Sequence, residues 1–178
     1  MSTLYSQTLN ADSGGWNGYT SVLRFETAAL TLPTDAITRT RVRFEAGAGE
    51  ALTITDSYIG HAAAAGDAYD FLDTPVQLLW SASATIAISA GTTATSDWAS
   101  FVYNKTSALL IATYIGGGTS VDTYRYKASV SNFDSYFKNS SDAATVNKTG
   151  YTGPNDDLLG VNLIEVETAT GGFFLFMR

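Results

Sequence analysis

Side chains that could act as a nucleophile, a general base or a soft metal ligand are almost missing from this sequence. The 178 residues include no cysteine and a single histidine, His61. Without cysteine there is no disulfide, no thiolate nucleophile and no zinc–thiolate site. Histidine is the usual general base near neutral pH, so acid–base chemistry of that kind would depend on His61 alone. This composition favours a protein that works through its surface, and we predict no catalytic residue.

A hydrolase would need a serine triad or a pair of carboxylates, and the sequence marks neither. The nucleophile turn Gly-x-Ser-x-Gly does not occur. Residues 11–15 (ADSGG) have some likeness to the Gly-Asp-Ser block of the SGNH esterases, but the preceding glycine and a later Asp-x-x-His are both missing. The separation of paired carboxylates is a three-dimensional property, so a glycan-active hydrolase remains the third alternative for function.

Three aspartates, Asp67, Asp70 and Asp73, recur at intervals of three residues. Carboxylate oxygens bind Ca²⁺ when several converge, but this spacing does not match the Asp-x-Asp-x-Asp-Gly calcium loop. Single aspartates are common at turns because they hydrogen-bond the nearby backbone. We therefore predict turns here, with no metal and no cofactor, and a Ca²⁺ site around the three aspartates is left open.

Aromatic residues are the strongest candidates for binding a ligand. Trp16 and Tyr19 flank Asn17 in a glycine-rich loop, GGWNGY, where the local pattern gives no reason for burial. An aromatic ring beside an amide can stack on a sugar, yet such rings also dock loops onto their own domain or onto another subunit. Both interpretations remain open. With two further loop residues, the candidate ligand-binding set is Trp16, Asn17, Tyr19, His61 and Tyr69.

Most of the sequence consists of short strand-like runs separated by turn residues, at a spacing typical of antiparallel β proteins. The runs include residues 29–32, 98–103 and 108–115. The last of these is apolar over most of its length and is expected at the centre of a sheet, buried on both faces. The pattern predicts one all-β domain over residues 1–178, an antiparallel, jelly-roll-like β-sandwich of about ten strands.

The predicted surface is rich in hydroxyl groups and poor in charge. There are 17 Ser and 24 Thr, and charged residues make up 15% of the chain, against about 25% on average. The net charge of −7 argues against nucleic acid as a partner. Arg39, Arg41 and Arg43 alternate along one predicted strand, so we expect them on its solvent face. No apolar run reaches the roughly 18 residues of a membrane span and no signal peptide is recognisable, so we expect no membrane association.

Two loops and the C-terminal run are the remaining candidates for contacts. Residues 10–20 and 139–157 are longer than the other connections, and long loops on β scaffolds often carry recognition. The run Phe173-Phe174-Leu175-Phe176 is unusually apolar for a chain end. Either Phe173, Phe174 and Phe176 form a subunit contact in a homo-oligomer, or this run is the last strand of the core.

Parts of the sequence resemble small all-β modules of tailed bacteriophages and gene transfer agents. The resembling stretches are residues 52–63 and 67–71 (LTITDSYIGHAA and DAYDF), 136–145 (YFKNSSDAAT), 150–151 (GY) and 160–167 (GVNLIEVE). Modules of this kind occur in head decorations, spikes and tail fibres. The resemblance implies a jelly-roll or similar sandwich carried on a particle surface, and it implies no catalytic residues.

These observations lead to a ranked set of functional expectations. The first is a non-enzymatic virion structural protein, a capsid decoration or head-fibre protein made in the host cytoplasm. Its expected partners are other virion proteins and further copies of itself, and a host surface glycan is a further candidate. The alternative is a carbohydrate-binding or receptor-binding module, such as a tail-fibre tip.

Overall fold

A computed structural model of the chain describes residues 1–116 and 124–169. These residues form three antiparallel sheets and one short 3₁₀ helix, so the predicted all-β antiparallel sandwich is confirmed. The described part contains no helix that is long and apolar enough to cross a bilayer. The strands are β1 (Ser2–Ser6), β2 (Ala11–Ser13), β3 (Tyr19–Phe25), β4 (Ile37–Glu45), β5 (Leu52–His61), β6 (Val76–Gln77), β7 (Ile86–Ile88), β8 (Thr93–Thr95), β9 (Leu109–Ile115), β10 (Tyr124–Lys127), β11 (Phe133–Asn139), β12 (Thr152–Asn155), β13 (Leu158–Leu159) and β14 (Val161–Thr168).

The largest sheet is organised around β9. Its strand order is β12-β11-β3-β9-β5-β6, and β7 also pairs with β5. Every residue of β9 except Tyr114 is buried, because both faces of the sheet are covered at this strand. The apolar sequence LLIATYI suits this position, since a strand covered on two sides has no polar face to present. The predicted central strand at residues 108–115 is confirmed.

The first face of the large sheet packs against the two smaller sheets. Their strand orders are β1-β14-β4-β8 and β13-β10-β2, and an isolated bridge between Ala46 and Tyr124 connects them. The core between the layers includes Phe25 and Ile111 from the large sheet and Phe44 from β4. Along the chain, β3, β5, β9 and β11 alternate with β4, β8, β10 and β14 in the opposite layer, so the main strands cross repeatedly between the two layers of the sandwich.

The outward face of β4 carries the three arginines, as predicted. Arg41 Nε donates to Glu165 at 2.8 Å and Arg43 Nε donates to the Asn162 amide oxygen at 2.8 Å. Arg39 pairs with Glu167 on the same neighbouring strand, β14. The Arg41 guanidinium lies 4.5 Å from the centroid of the Trp98 ring. Each arginine therefore has a polar partner on the adjacent strand, and this face is a solvated ladder of paired groups.

The second face of the large sheet is covered by two loops, residues 62–73 and 140–151. A separate apolar cluster forms here, including Val22, Leu110 and Phe71. At Gly60 an added Cβ would lie 2.7 Å from the Phe71 ring, so the close contact between loop and strand requires glycine. The Phe71 N–H donates to the Val146 carbonyl at 3.0 Å and joins the two loops.

Asp70 is the polar link between these loops. Its Oδ2 accepts from the Asp67 N–H at 3.0 Å, and its Oδ1 accepts from the Lys148 N–H at 2.6 Å. The Lys148 side chain is also buried, with Nζ 3.9 Å from the centroid of the Phe71 ring and bonded to the Thr145 carbonyl. Burial lowers the pKa of Lys148 to about 8, although the carboxylates of Asp142 and Asp70 favour its charged form. The covering loops are thus held by buried polar contacts as well as by apolar packing.

Three local predictions differ from the structure. Residues 98–103 form no strand; Ala99 alone bridges Thr40, because this segment crosses between layers with Phe101 and Tyr103 turned into the core. Residues 29–32 also form no strand: Ala29 ends the 3₁₀ helix, and the irregular chain that follows includes Thr31, whose N–H donates to the Leu4 carbonyl. The loops at residues 10–20 and 139–157 contain the short strands β2 and β12. The C-terminal run with Phe173, Phe174 and Phe176 lies outside the described residues.

Removing the Asp70 carboxylate should loosen the covering loops. We expect Asp70→Ala to lower the free energy of unfolding by about 3 kcal/mol, because the buried Lys148 N–H and the part-buried Asp67 N–H lose a charged acceptor. Asp73→Ala is the matched control, since Asp73 is exposed, and a surface change of this kind alters stability by about 0.5 kcal/mol or less. Urea denaturation followed by tryptophan fluorescence measures both. Equal stabilities of the two variants would contradict this role for Asp70.

Candidate functional site

Trp16 lies half-buried in the turn between β2 and β3, packed against three other rings. Its ring centroid is 5.9 Å from Tyr19, 6.0 Å from Tyr124 and 5.5 Å from Phe137, and all three contacts are edge-on. The indole N–H donates to Ser13 Oγ at 3.0 Å. Trp16 therefore docks its loop onto the sandwich, and it keeps part of its surface open to solvent.

The sequence GGWNGY folds as a tight turn that fixes this ring. Gly15 and Gly18 have φ angles of +82° and +84°, which favour glycine. The Tyr19 N–H donates to the Trp16 carbonyl at 3.0 Å, and the Gly18 N–H donates to the Ile115 carbonyl at 2.7 Å. Because the turn is bonded both to itself and to the end of β9, Trp16 has a defined position relative to the large sheet.

Two shallow clefts adjoin at Trp16. The first, of about 170 Å³, is lined by Gly14, Gly15, Trp16, Tyr19 and Phe137. The second, of about 190 Å³, is lined by Ser13, Trp16, Ser135, Phe137, Asn155, Asp157 and Leu159. Trp16 and Phe137 line both clefts, so these two rings form a ridge between them. We refer to this arrangement as the paired clefts.

The polar groups that line the second cleft can still form hydrogen bonds with a ligand. Ser135 Oγ donates to the Asn155 carbonyl at 3.3 Å, across the β11–β12 pairing. The Ser13 hydroxyl accepts from the Trp16 indole, so its own proton remains available. Within residues 1–116 and 124–169, the Asn155 amide and the Asp157 carboxylate have no hydrogen bond or ion pair. The cleft therefore offers both donors and acceptors beside an aromatic wall.

His61 lies at the other end of the large sheet. It pairs with Leu109, which pairs with Phe25 at the end of β3, whereas the Trp16 turn adjoins the start of β3. The imidazole stacks on Tyr103, with centroids 5.7 Å apart, and its Nε2 accepts from the Asn104 N–H at 3.0 Å. Burial lowers the pKa of His61, although the charge of Asp73 acts in the opposite direction. This environment suits a neutral ring that anchors residues 101–104.

Tyr69 belongs to a third location, on the second face of the large sheet. Its ring centroid lies 5.2 Å from Tyr136 and 4.9 Å from Tyr151, and its hydroxyl donates to Asp67 at 3.0 Å. Burial, together with the bond to Asp67, raises the pKa of Tyr69. The five predicted ligand-binding residues are therefore divided among three places. Trp16, Asn17 and Tyr19 share one turn, and Asn17 lines neither of the paired clefts.

Asp67 and Asp70 make local contacts, and Asp73 does not join them. Asp70 accepts from two backbone N–H groups, Asp67 accepts from Tyr69, and Asp73 is exposed. In the part of the chain that the structure describes, no three His, Cys, Asp or Glu side chains are grouped closely enough to hold a metal ion. The structure gives no support to the open Ca²⁺ alternative.

Sequence reasoning missed the residues that complete the paired clefts. Phe133, Ser135 and Phe137 share one face of β11, and this alternation is visible in the sequence, but nothing local indicates that Trp16 would meet it. The sequence around Asn155 and Asp157 is typical of a turn. A pairing between β12 and β11 brings them to the cleft, and such a pairing between distant segments is not readable from composition.

Comparison with models of protein families finds no match, and no curated protein is significantly similar to this chain. Functional inferences therefore depend on the residues and contacts of the chain itself. Within the described residues, the paired clefts combine exposed aromatic surface with polar groups that are free to bind a ligand.

The environment of His61 predicts its titration. We expect the pKa of its imidazole to lie below the ordinary value of 6.5, because burial disfavours imidazolium and the Nε2 lone pair already accepts a bond. Protonation as the pH falls below about 6.5 should therefore cost stability. His61 is the only histidine, so its imidazole proton resonances can be followed without ambiguity by NMR.

Two variants test whether burial by neighbouring rings causes the lowered pKa of His61. Phe101→Ala removes a ring 4.8 Å from the imidazole and should move the midpoint back toward 6.5. Val102→Ala changes an exposed neighbour and should leave the midpoint unchanged. A wild-type midpoint above 6.5 would contradict the description of His61 as a buried anchor.

Proposed function

We propose that this chain is a non-enzymatic structural protein on the surface of a phage-type virion, as a capsid decoration or head-fibre protein. The observation that carries the proposal is the two-sided coverage of the large sheet, which supports a stable fold without any disulfide. A displayed protein has to persist outside the cell, where no redox system maintains it. The paired arginine ladder and the hydroxyl-rich surface suit a face exposed on a particle.

The ionisable groups support a role without catalysis. Wherever the surroundings clearly shift the pKa of a side-chain carboxyl group within the described residues, they lower it: Arg125 lowers that of Asp12, and Arg39 lowers that of Glu167. For Asp142, burial raises the pKa, but hydrogen bonds from Tyr151 and Ser140 outweigh it. A glycosidase general acid needs the opposite shift, toward neutral pH. These carboxyl groups are better suited to structural contacts.

The end of the sandwich near His61 is the candidate contact with other virion proteins. Leu72 and Val102 are exposed by 46% and 57%. The Leu72 N–H donates to the His61 carbonyl, and Val102 lies between two residues whose rings contact the imidazole. Exposed apolar side chains at one end of a polar module suit attachment, and they leave the Trp16 end directed away from the particle.

Particle composition tests the proposed function. Particles purified from the strain that encodes this chain should contain it at a fixed copy number by quantitative mass spectrometry. Particles lacking the gene should take up the purified protein. Leu72→Glu combined with Val102→Glu should reduce that uptake at least tenfold, whereas Thr95→Glu, at an exposed position on β8, should not. Absence of the chain from purified particles would overturn the proposal.

A further inference from the structure

We propose that the paired clefts bind a neutral oligosaccharide, with adjacent sugar rings on either side of the Trp16–Phe137 ridge. This binding activity goes beyond the virion role and does not depend on it. The first cleft is bounded mainly by aromatic rings and glycine, and the second adds hydroxyl, amide and carboxylate groups. One side of the site therefore supplies mainly apolar contact, and the other supplies hydrogen bonds.

A sugar ring is the ligand whose chemistry matches this lining. A pyranose has C–H groups that pack on aromatic surface and a rim of hydroxyl groups that both donate and accept hydrogen bonds. Trp16, Phe137 and Leu159 supply the apolar surface of the second cleft. The Asn155 amide donates and accepts, the Asp157 carboxylate accepts, and the Ser13 hydroxyl has a proton to donate. Each cleft is of the size that one sugar ring fills.

The continuity of the ridge favours more than one sugar ring. Trp16 and Phe137 line both clefts, so a ligand in one cleft meets the same pair of rings as a ligand in the other. A linear saccharide can therefore lie across the ridge and use both sites. Two linked rings bind more tightly than one, because the second ring binds as part of the same molecule.

The charges around the site exclude an anionic ligand. Neither cleft is lined by lysine or arginine. Asp157 lines the second cleft, Asp156 precedes it in the sequence, and the whole chain carries a net charge of −7. A uronic acid, a sialic acid or a sulfated sugar would be repelled by these carboxylates, whereas neutral hydroxyl groups can donate to Asp157.

The site is already arranged for binding. Trp16 is held by its bond to Ser13 and by the turn that contains it. Phe137 and Ser135 lie in β11, and Asn155 pairs with Ser135 through β12. Because the Trp16 and Phe137 rings and the backbone of β11 and β12 are fixed before a ligand arrives, their ordering adds little entropic cost to binding.

Binding of defined neutral hexasaccharides tests the proposal. The probes are cellohexaose, laminarihexaose, maltohexaose and mannohexaose, with oligogalacturonate as the anionic comparison, measured by calorimetry and tryptophan fluorescence. We expect at least one neutral hexasaccharide to bind at least tenfold more tightly than its monosaccharide, because two linked rings fill both clefts, and oligogalacturonate not to bind. Failure of all four neutral probes to bind at millimolar concentration, or preference for oligogalacturonate, would overturn the proposal.

Matched variants locate the site. Asp157→Ala and Asn155→Ala should each weaken binding at least tenfold, since a lost hydrogen bond to a charged or amide group has about this effect. Asp156→Ala removes the neighbouring carboxylate, which lines neither cleft, and should leave the affinity unchanged. Circular dichroism and thermal unfolding verify that the variants fold. Equal affinity of Asp156→Ala and Asp157→Ala would place the ligand elsewhere and contradict the assignment, whatever the outcome of the particle experiment.

Discussion

The burial of β9 on both faces is the constraint on which the rest of this structure depends. A strand that reads LLIATYI has no side that can face water, so each side of the large sheet must be covered. The two smaller sheets cover one side with a conventional sandwich core. On the other side, residues 62–73 and 140–151 form the cover. The buried contacts of Asp70 and Lys148 follow from this arrangement, because irregular chain placed against a sheet must still satisfy its backbone N–H groups.

The two ends of the sandwich, where the chain passes between the layers, have different surfaces. At the end near His61, residues 101–104 cross between layers and are anchored on the imidazole. At the opposite end, the turn with Trp16 closes the space between the large sheet and β2, and the ridge with Phe137 leaves a cleft on each side. One end thus presents exposed apolar side chains and the other presents aromatic rings with polar groups. Two different ends of this kind would suit a displayed module that attaches to the particle at one end and binds a ligand at the other.

The alternation of apolar and polar residues predicts features of single strands. It does not predict contacts between segments that are distant in the sequence. The fold class, the central position of β9 and the outward arginines of β4 follow from the repeat of apolar and polar residues along single strands. Residues 98–103 have the composition of a strand, but Phe101 and Tyr103 are drawn into the core beside His61, and this contact is not visible in sequence. Trp16 and Tyr19 are recognisable as candidates, whereas Phe137, Asn155 and Asp157 become part of the site only through tertiary pairing.

Native-state hydrogen exchange tests most directly the central claim that a rigid, doubly covered sheet positions the surface sites. Amide protons of β3, β9 and β11 should exchange only through global unfolding, with one common free energy, because β9 connects the two faces and β11 carries the ridge. Residues 62–73 and 140–151 should exchange through local opening at lower free energy. If β11 opens independently of β9 at a much lower free energy, the paired clefts are not part of the rigid sheet, and the central claim is contradicted.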